Sequence, residues 1–427
     1  MRVSLPYGDD VVSAEIDWAE PLATLDVGEA PELPDLDAAV RGAIEHPIGL
    51  DRDLYELVSP GERVVVLVSD MFRQTCVDQI LPILIAGLDR AGVCAEHIRF
   101  LFATGTHRAP TPEEQASILG PAVYEQFRGR IFVHDPNDAA NLVHVGTTSR
   151  GTPLEINRRA HEADRLIATG AVVLHYFGGY GGGRKSILPG IASARTIAYN
   201  HAMNLDPVAD RRNPEVRIGV LDGNPVAEDM LEGGRLAGAD YIINTVLNRH
   251  GRIAGVFAGE LDAAHRAAAA FAHGLYATAI AEQADLVIAS SGAAQNFVQS
   301  HKALYNAYQA VKPGGRIVLL SECREGLGDE QFVQWLRLAT PERIIAGLRK
   351  QAEINGQTAL STLEKGPMTF FVTEMGRDDV ALMGGTKAAS LEQALGLARR
   401  ALADHGVKEP TRYLMPSASY TVPFLEV

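Results

Sequence analysis

Short apolar runs rich in β-branched residues alternate with segments of helical periodicity through most of the chain, the pattern of α/β layers built around largely parallel sheets. The runs predict strands at Arg63–Ser69, Ile98–Ala103, Ile131–His134, Arg165–Ala168 and Ala171–Tyr176. Thr111-Pro112-Glu113-Glu114 supplies an N-cap, a proline at the first helical position and a glutamate placed to close a capping box, so a helix is expected to begin there. Asn224-Pro225 and Thr340-Pro341 repeat the cap-then-proline arrangement and mark two further helix starts. From Leu261 to about Gln283 the chain is alanine-rich, without proline, and reads as a connecting helix. A second αβ series follows, with strands at Asp285–Ser290, Arg316–Ser321 and Met368–Thr373 and a helix over Leu391–His405. The expected fold class is therefore α/β, with two αβ domains at 1–275 and 276–427 and a site in the cleft between them.

Composition narrows the classes of partner. With 39 Lys+Arg against 53 Asp+Glu the formal charge is −14, which disfavours docking on nucleic acid or anionic lipid. The N-terminus MRVSLPYGDD lacks a basic segment followed by an apolar one, and no run is long enough to span a bilayer, so a soluble cytoplasmic protein is expected. Cys76, Cys94 and Cys323 are far apart and free of CxxC spacing, which predicts reduced, mostly buried thiols rather than a disulfide framework or thiolate zinc site.

The densest chemical signal is the segment from His175 to Gly190, HYFGGYGGGRKSILPG, directly after an apolar strand. A glycine-rich loop in that position lets backbone N–H groups approach an anion, which makes Gly182, Gly183, Arg184, Lys185 and Ser186 candidates for cofactor binding. A P-loop wants glycine before its Lys-Ser pair, where this chain has Arg184, and Pro189-Gly190 would break the helix that should follow. Asp70 and Arg73 follow the strand ending at Ser69, and His107 follows the one ending at Ala103. Ligand crevices of open α/β sheets lie beyond the carboxyl ends of strands, so these groups and His175 are expected to converge there.

The segments Ser69-Asp70-x-x-Arg73, Gly105-Thr106-His107-Arg108, His175 through Gly190, Asn200-His201 and Gln299-Ser300-x-Lys302-Ala303 resemble the nickel-pincer nucleotide-dependent lactate racemase family, in the same order and over most of the length. The most specific part is His175, Lys185 and His201, spaced by ten and then sixteen residues. The resemblance implies a cofactor, pyridinium-3,5-bisthiocarboxylic acid mononucleotide, that clasps nickel through sulfur and a ring carbon. It implies a thioamide tether at Lys185 and one protein nickel ligand, His201, a set that works because the soft donors come from the cofactor. His107 and His175 would be acid and base, and Arg73, Gln299 and Lys302 would bind a small 2-hydroxy acid. Asp70 joins the cofactor-binding group, the first domain carries cofactor and catalysis, the second adds substrate contacts, and cofactor-synthesis proteins are the implied partners for loading.

The residue types suit that chemistry. The C2–H of a 2-hydroxy acid is too weakly acidic for an ordinary side-chain base, so hydride removal coupled to loss of the hydroxyl proton is the easier route. Two histidines serve the two mirror-related poses, and a guanidinium grips both carboxylate oxygens in one plane. The substrate half departs from the family pattern: Val298 stands where a tyrosine is usual, neither Trp18 nor Trp335 matches the active-site tryptophan, and Gly356-Gln357-Thr358-Ala359 replaces a Gly-x-His-x-Ala segment. Malate or a longer analogue is thus as well supported as lactate. A nicotinamide-dependent dehydrogenase would share hydride chemistry but needs a Gly-x-Gly-x-x-Gly turn that is absent. A nickel- or anion-binding homologue without turnover would need neither His107 nor His175.

Overall fold

The computed structural model describes residues 1–426 and forms two compact units, each organised on a six-stranded sheet. One comprises residues 29–207 and 212–275, the other residues 1–28, 208–211 and 276–427.

In the first unit the strands run in the order Ile253–Gly259, Tyr241–Leu247, Arg165–Ala171, Val64–Ser69, Ile98–Ala103, Ile131–Val133. All neighbours are parallel except the first pair, an antiparallel hairpin. Strand Val64–Ser69 (VVVLVS) is buried along its first five residues, as a strand covered on both faces requires, which is why it reads as an unbroken apolar run. From this strand the sheet grows toward Ile98–Ala103, and from its neighbour Arg165–Ala171 toward Tyr241–Leu247, so the order reverses between the two central strands. Their carboxyl ends flank the switch point where open sheets bind ligands.

The chain beyond Arg165–Ala171 departs from the expected second strand. Only Leu174–His175 is extended, pairing with Gly179–Tyr180 as a two-residue ribbon, and the glycine segment then folds back on the sheet. A Cβ at Gly170 would lie 2.6 Å from the Gly183 nitrogen, and one at Gly182 (φ +108°) would meet Val172 at 2.7 Å. Backbone therefore packs on backbone where any side chain would hold the loop away. After a short 3-10 turn at Gly183–Ser186 the next helix begins only at Ala194, capped by Ser193.

The second unit has an all-parallel sheet in the order Thr386–Ala388, Thr369–Val372, Val311–Leu320, Ala284–Ser290, Thr411–Met415, Glu20–Thr24. The first 28 residues, assigned by the sequence reading to the N-terminal domain, belong here. The hairpin Arg2–Tyr7/Asp10–Glu15 contributes Val3, Leu5 and Ala14 to the apolar core of Leu286, Ile288, Val318 and Leu320, and Glu20–Thr24 forms the sheet edge. The expected connecting helix is Ala263–Tyr276. The chain then enters strand Ala277–Ile280, which pairs with Val422–Leu425, a long-range partner that overrides alanine propensity. The three helix starts form as read: Thr111 closes its capping box with Glu114, and Asn224 and Thr340 cap Pro225–Leu236 and Pro341–Lys350. Of the cysteines only Cys323 is buried; Cys94 is exposed and Cys76 intermediate.

Buried Asp229, on helix Pro225–Leu236, accepts hydrogen bonds from the hydroxyls of Thr148 (2.5 Å) and Thr152 (2.9 Å) and from the Asn200 amide (2.9 Å). Asp229→Ala strands three buried donors and is expected to lower this unit's stability by about 3 kcal/mol, with Asp229→Asn losing roughly half as much. Urea unfolding monitored within this unit checks it; a loss under about 1 kcal/mol would show that the donors find other acceptors.

Candidate active site

Three loops leave the carboxyl ends of adjacent parallel strands in the first unit. After Val64–Ser69, Asp70 turns inward and is buried, its Oδ1 accepting the Phe72 backbone N–H (3.0 Å) and its Oδ2 lying 2.6 Å from His107 Nδ1 on the neighbouring loop. Asp70, read from sequence as a cofactor contact, thus holds an imidazole. The Phe72 ring meets that imidazole edge-on at 4.9 Å and is itself about half exposed (47%). Arg73 is exposed, with Nη1 donating to the Phe72 carbonyl (3.0 Å), so its guanidinium stays close to the turn that carries Asp70. Arg108 is occupied by Glu114 (2.6 and 2.7 Å).

The third loop carries His175 and Lys185. The Lys185 Nζ lies 2.9 Å from His175 Nε2, and 5.1 Å from the centre of the Phe177 ring. The same ring touches His175 (4.7 Å) and His201 (4.8 Å) edge-on, so Phe177 gathers the three residues of the spaced array around one aromatic face. The Gly105 N–H donates to the Gly190 carbonyl (2.9 Å), tying the His107 loop to the end of the Lys185 loop.

His201 sits on helix Ala194–Ala202 and is 5% exposed. Burial, reinforced by the nearby Lys185 charge, pulls its pKa down to about 3, so the ring is neutral at working pH. Its tautomer follows from its neighbour. Asn200 Nδ2 donates to Asp229 and to the Val226 carbonyl, which turns Asn200 Oδ1 toward His201 Nδ1 at 3.2 Å. Nδ1 is then the donor and Nε2 carries the lone pair, the arrangement of a metal-ligating histidine oriented by a second residue.

The remaining loop candidates face inward. The Gly183 N–H donates to Asn244 Oδ1 (2.8 Å) and Ser186 Oγ donates to the Thr169 carbonyl (2.7 Å). Arg184 is 1% exposed, its Nε and Nη2 have no hydrogen-bond partner, and burial draws its pKa down to about 10. These residues seat the turn that presents Lys185. Gln299 and Lys302 lie in the second unit, exposed on helix Phe297–Gln309, where Gln299 Oε1 accepts the Gln295 N–H (3.1 Å). Trp335 packs against Gly347 and Gly356, and Trp18 lies under Arg399. A groove of about 410 Å³ beside helix Val77–Arg90, lined by Pro82, Ile85, Ala122 and Gln126 among others, holds none of the histidines. Phe177, Asn200 and Asp229 were not assigned roles from sequence; Phe177 and Asn200 lie beside motif histidines in the chain, whereas Asp229, 29 positions beyond Asn200, carries no local signal.

Family models for the lactate racemase N-terminal domain and the lactate racemase C-terminal domain match residues 7–211 and 279–406. A lactate racemase of Thermoanaerobacterium thermosaccharolyticum is 36% identical over 301 residues, spanning 70% of this chain and 68% of that protein. One from Lactiplantibacillus plantarum is 34% identical over 338 residues, 78% and 77% of the two chains. The chain belongs to the lactate racemase family. The lactate racemase apoprotein structure from T. thermosaccharolyticum superposes with a TM-score of 0.88, covering 99% of this chain and all of that one at 28% identity. A Thermotoga maritima protein at 17% identity shares the fold, with a TM-score of 0.66 over 93% of this chain. The protein is accordingly an isomerase of the racemase type. Among the described residues no helix is long and apolar enough to cross a membrane.

This racemase's buried histidines make its stability pH-dependent. His134, His201 and His265 all have lowered pKa values from burial, whereas an unfolded chain takes up protons near pH 6.5. Because the unfolded state binds more protons, their contribution is complete above about pH 6.5 and is lost as pH falls toward the folded values, near 3 for His201. His201 alone accounts for about 2 kcal/mol between pH 7 and pH 5. Urea denaturation at the two pH values should show the decline, and His201→Gln should shrink it by about that amount. An unchanged decline would place a charged His201 in the folded state.

Proposed function

We propose that this enzyme inverts the C2 stereocentre of a small 2-hydroxy acid, lactate or a relative such as malate, with a nickel-pincer nucleotide tethered to Lys185. The observation that carries the reading is the pair of imidazoles, His107 and His175, on the strand-end loops either side of the one that carries Asp70, with Lys185 and His201 gathered around Phe177. The residues suit the cofactor. Among the described residues no group of three His, Cys, Asp or Glu side chains could hold a metal, so a nickel ion here depends on donors from elsewhere, and His201 offers one neutral imidazole. Lys185 stands beside it on the glycine turn.

When bound, the nickel-pincer nucleotide supplies an electrophilic ring that takes a hydride from C2 and returns it. Arg73 holds the substrate carboxylate, and Gln299 and Lys302 are the contacts assigned to the second unit. His107, whose Nδ1 is fixed by Asp70, takes the hydroxyl proton through Nε2 as C2 gives up hydride, leaving a planar 2-keto acid. The keto acid turns over while its carboxylate stays on Arg73. Proton delivery to the new hydroxyl is assigned to His175, acting on the opposite face from His107.

Four variants test this. Lys185→Ala should abolish both the covalent mass adduct and bound nickel in protein produced with the cofactor-synthesis machinery, and full activity would refute the tether. His201→Ala should lower nickel content while the organic adduct remains detectable by intact mass; nickel held as in the wild type would assign another ligand. His107→Ala and His175→Ala should each lose racemisation of both enantiomers by at least about 10²-fold. In a single-turnover assay they should prefer opposite enantiomers for keto acid formation. A chirality assay over a panel of 2-hydroxy acids decides the substrate, and a loaded protein that racemises none of them would sink the reading.

A further inference from the structure

We propose that Met71 and Phe72 form the wall that selects the substrate's C3 group, so that the site takes a 2-hydroxy acid whose side chain is apolar and larger than the methyl of lactate, and disfavours dicarboxylates such as malate. The inference rests on the racemase reading above and narrows it to a substrate class.

Met71 and Phe72 stand in the chain between Asp70, which holds His107, and Arg73, to which the substrate carboxylate is assigned. The turn is tight: the Arg73 N–H donates to the Asp70 carbonyl (3.2 Å) and the Phe72 N–H to Asp70 Oδ1 (3.0 Å). With Asp70 turned inward, its two successors are left outward, Met71 44% and Phe72 47% exposed. Solitary exposed apolar side chains are ordinary, but two large ones side by side, at the mouth of a site, are surface that a ligand can cover. They are also held in place. The Phe72 ring stands edge-on to His107 at 4.9 Å, the Arg108 guanidinium lies over its face at 5.6 Å, and Arg108 Nη2 donates to Met71 Sδ (2.9 Å).

A 2-hydroxy acid carries carboxylate, hydroxyl and C3 group on one carbon. A carboxylate on Arg73 and a hydroxyl at His107 therefore bring C2, and with it the C3 group, to the side chains between them. The charges there select against a second carboxylate. Asp70 already sets one behind His107. Arg108 is spent on Glu114 (2.6 and 2.7 Å), the Ala109 carbonyl (3.1 Å) and the Met71 sulfur. Arg73 gives one N–H to the Phe72 carbonyl, and its remaining fork serves the first carboxylate. Lys302 belongs to the Gln-Ser-x-Lys-Ala motif shared with the lactate enzymes, so its presence argues for no second carboxylate. Stripping water from an uncompensated carboxylate is costly, whereas an alkyl or aryl group gains by covering methionine and phenylalanine. The flexible Met71 chain can fit branched and aromatic groups alike.

Two measurements test this. In apoprotein labelled with 13C-methyl methionine, the Met71 signal is assigned among the eight methionines through Met71→Leu. 2-Hydroxy-4-methylpentanoate and 3-phenyllactate should shift that methyl saturably, and malate at the same concentration should not. No shift with either apolar acid, or an equal shift with malate, overturns the proposal. In the loaded enzyme kcat/KM should be highest for the two apolar acids, at least roughly tenfold above malate. Phe72→Ala should cut that ratio by about tenfold, mainly through KM, and Phe72→Leu should restore most of it. A highest kcat/KM for lactate or malate, or a Phe72→Ala loss that is equal for all substrates, overturns it as well. A loaded protein that racemises none of these acids while the Met71 methyl still answers to the apolar ones would uphold the apolar wall and overturn the racemase reading instead.

Discussion

The approach of the glycine turn to the central strand is the constraint on which the site depends. Gly170 on the strand and Gly182–Gly183 in the turn meet at distances that no Cβ could share, and the Asn244 side chain locks the turn by accepting the Gly183 N–H. This contact sets where Lys185 stands relative to the sheet, and through the Gly105–Gly190 hydrogen bond it also sets the loop that carries His107. Candidate side chains on three loops are thereby referred to one rigid surface, which is what a site needing ångström-level placement demands.

Burial does the electrostatic work around that surface, lowering the pKa of each of these bases with different outcomes. His201 and His265 are kept neutral by loss of water, whereas Arg184 stays a cation with two N–H groups unpaired. The carboxylates nearest to Arg184 in charge, Asp222 and Asp262, are taken up by Arg266, which bonds both. A positive charge is thus left under the turn that presents Lys185, close to where an anionic nucleotide would be held.

Much of this could be read from the chain. Apolar runs located the central strands because both faces are buried, and the caps at Thr111, Asn224 and Thr340 are local chemistry that no tertiary contact overrode. His107 and His175 lie at or just beyond strand ends, whereas His201 lies on helix Ala194–Ala202. What stayed hidden depended on partners distant in sequence. The strand Ala277–Ile280 exists because Val422–Leu425 pairs with it, and nothing local to Asp70 reveals the imidazole 37 positions further on that it holds. The inward-facing glycines illustrate the same limit: a glycine-rich loop announces close approach, but not whether a ligand or the protein's own backbone is what approaches.

The parallel pairing of Glu20–Thr24 with Thr411–Met415 joins segments from opposite ends of the chain. During synthesis the first strands to emerge must wait for almost the last, with the apolar face of the Arg2–Tyr7 hairpin uncovered until Leu286 and Ile288, and later Leu391 and Leu395, are available to pack on it. The other unit, drawn almost wholly from residues 29–275, can condense in the meantime. Vectorial synthesis therefore completes the racemase's units in the reverse of the order in which their first residues appear, and the unit that starts the chain is the slower, high-contact-order one. Its early strands are the segment for which a holding chaperone would matter most.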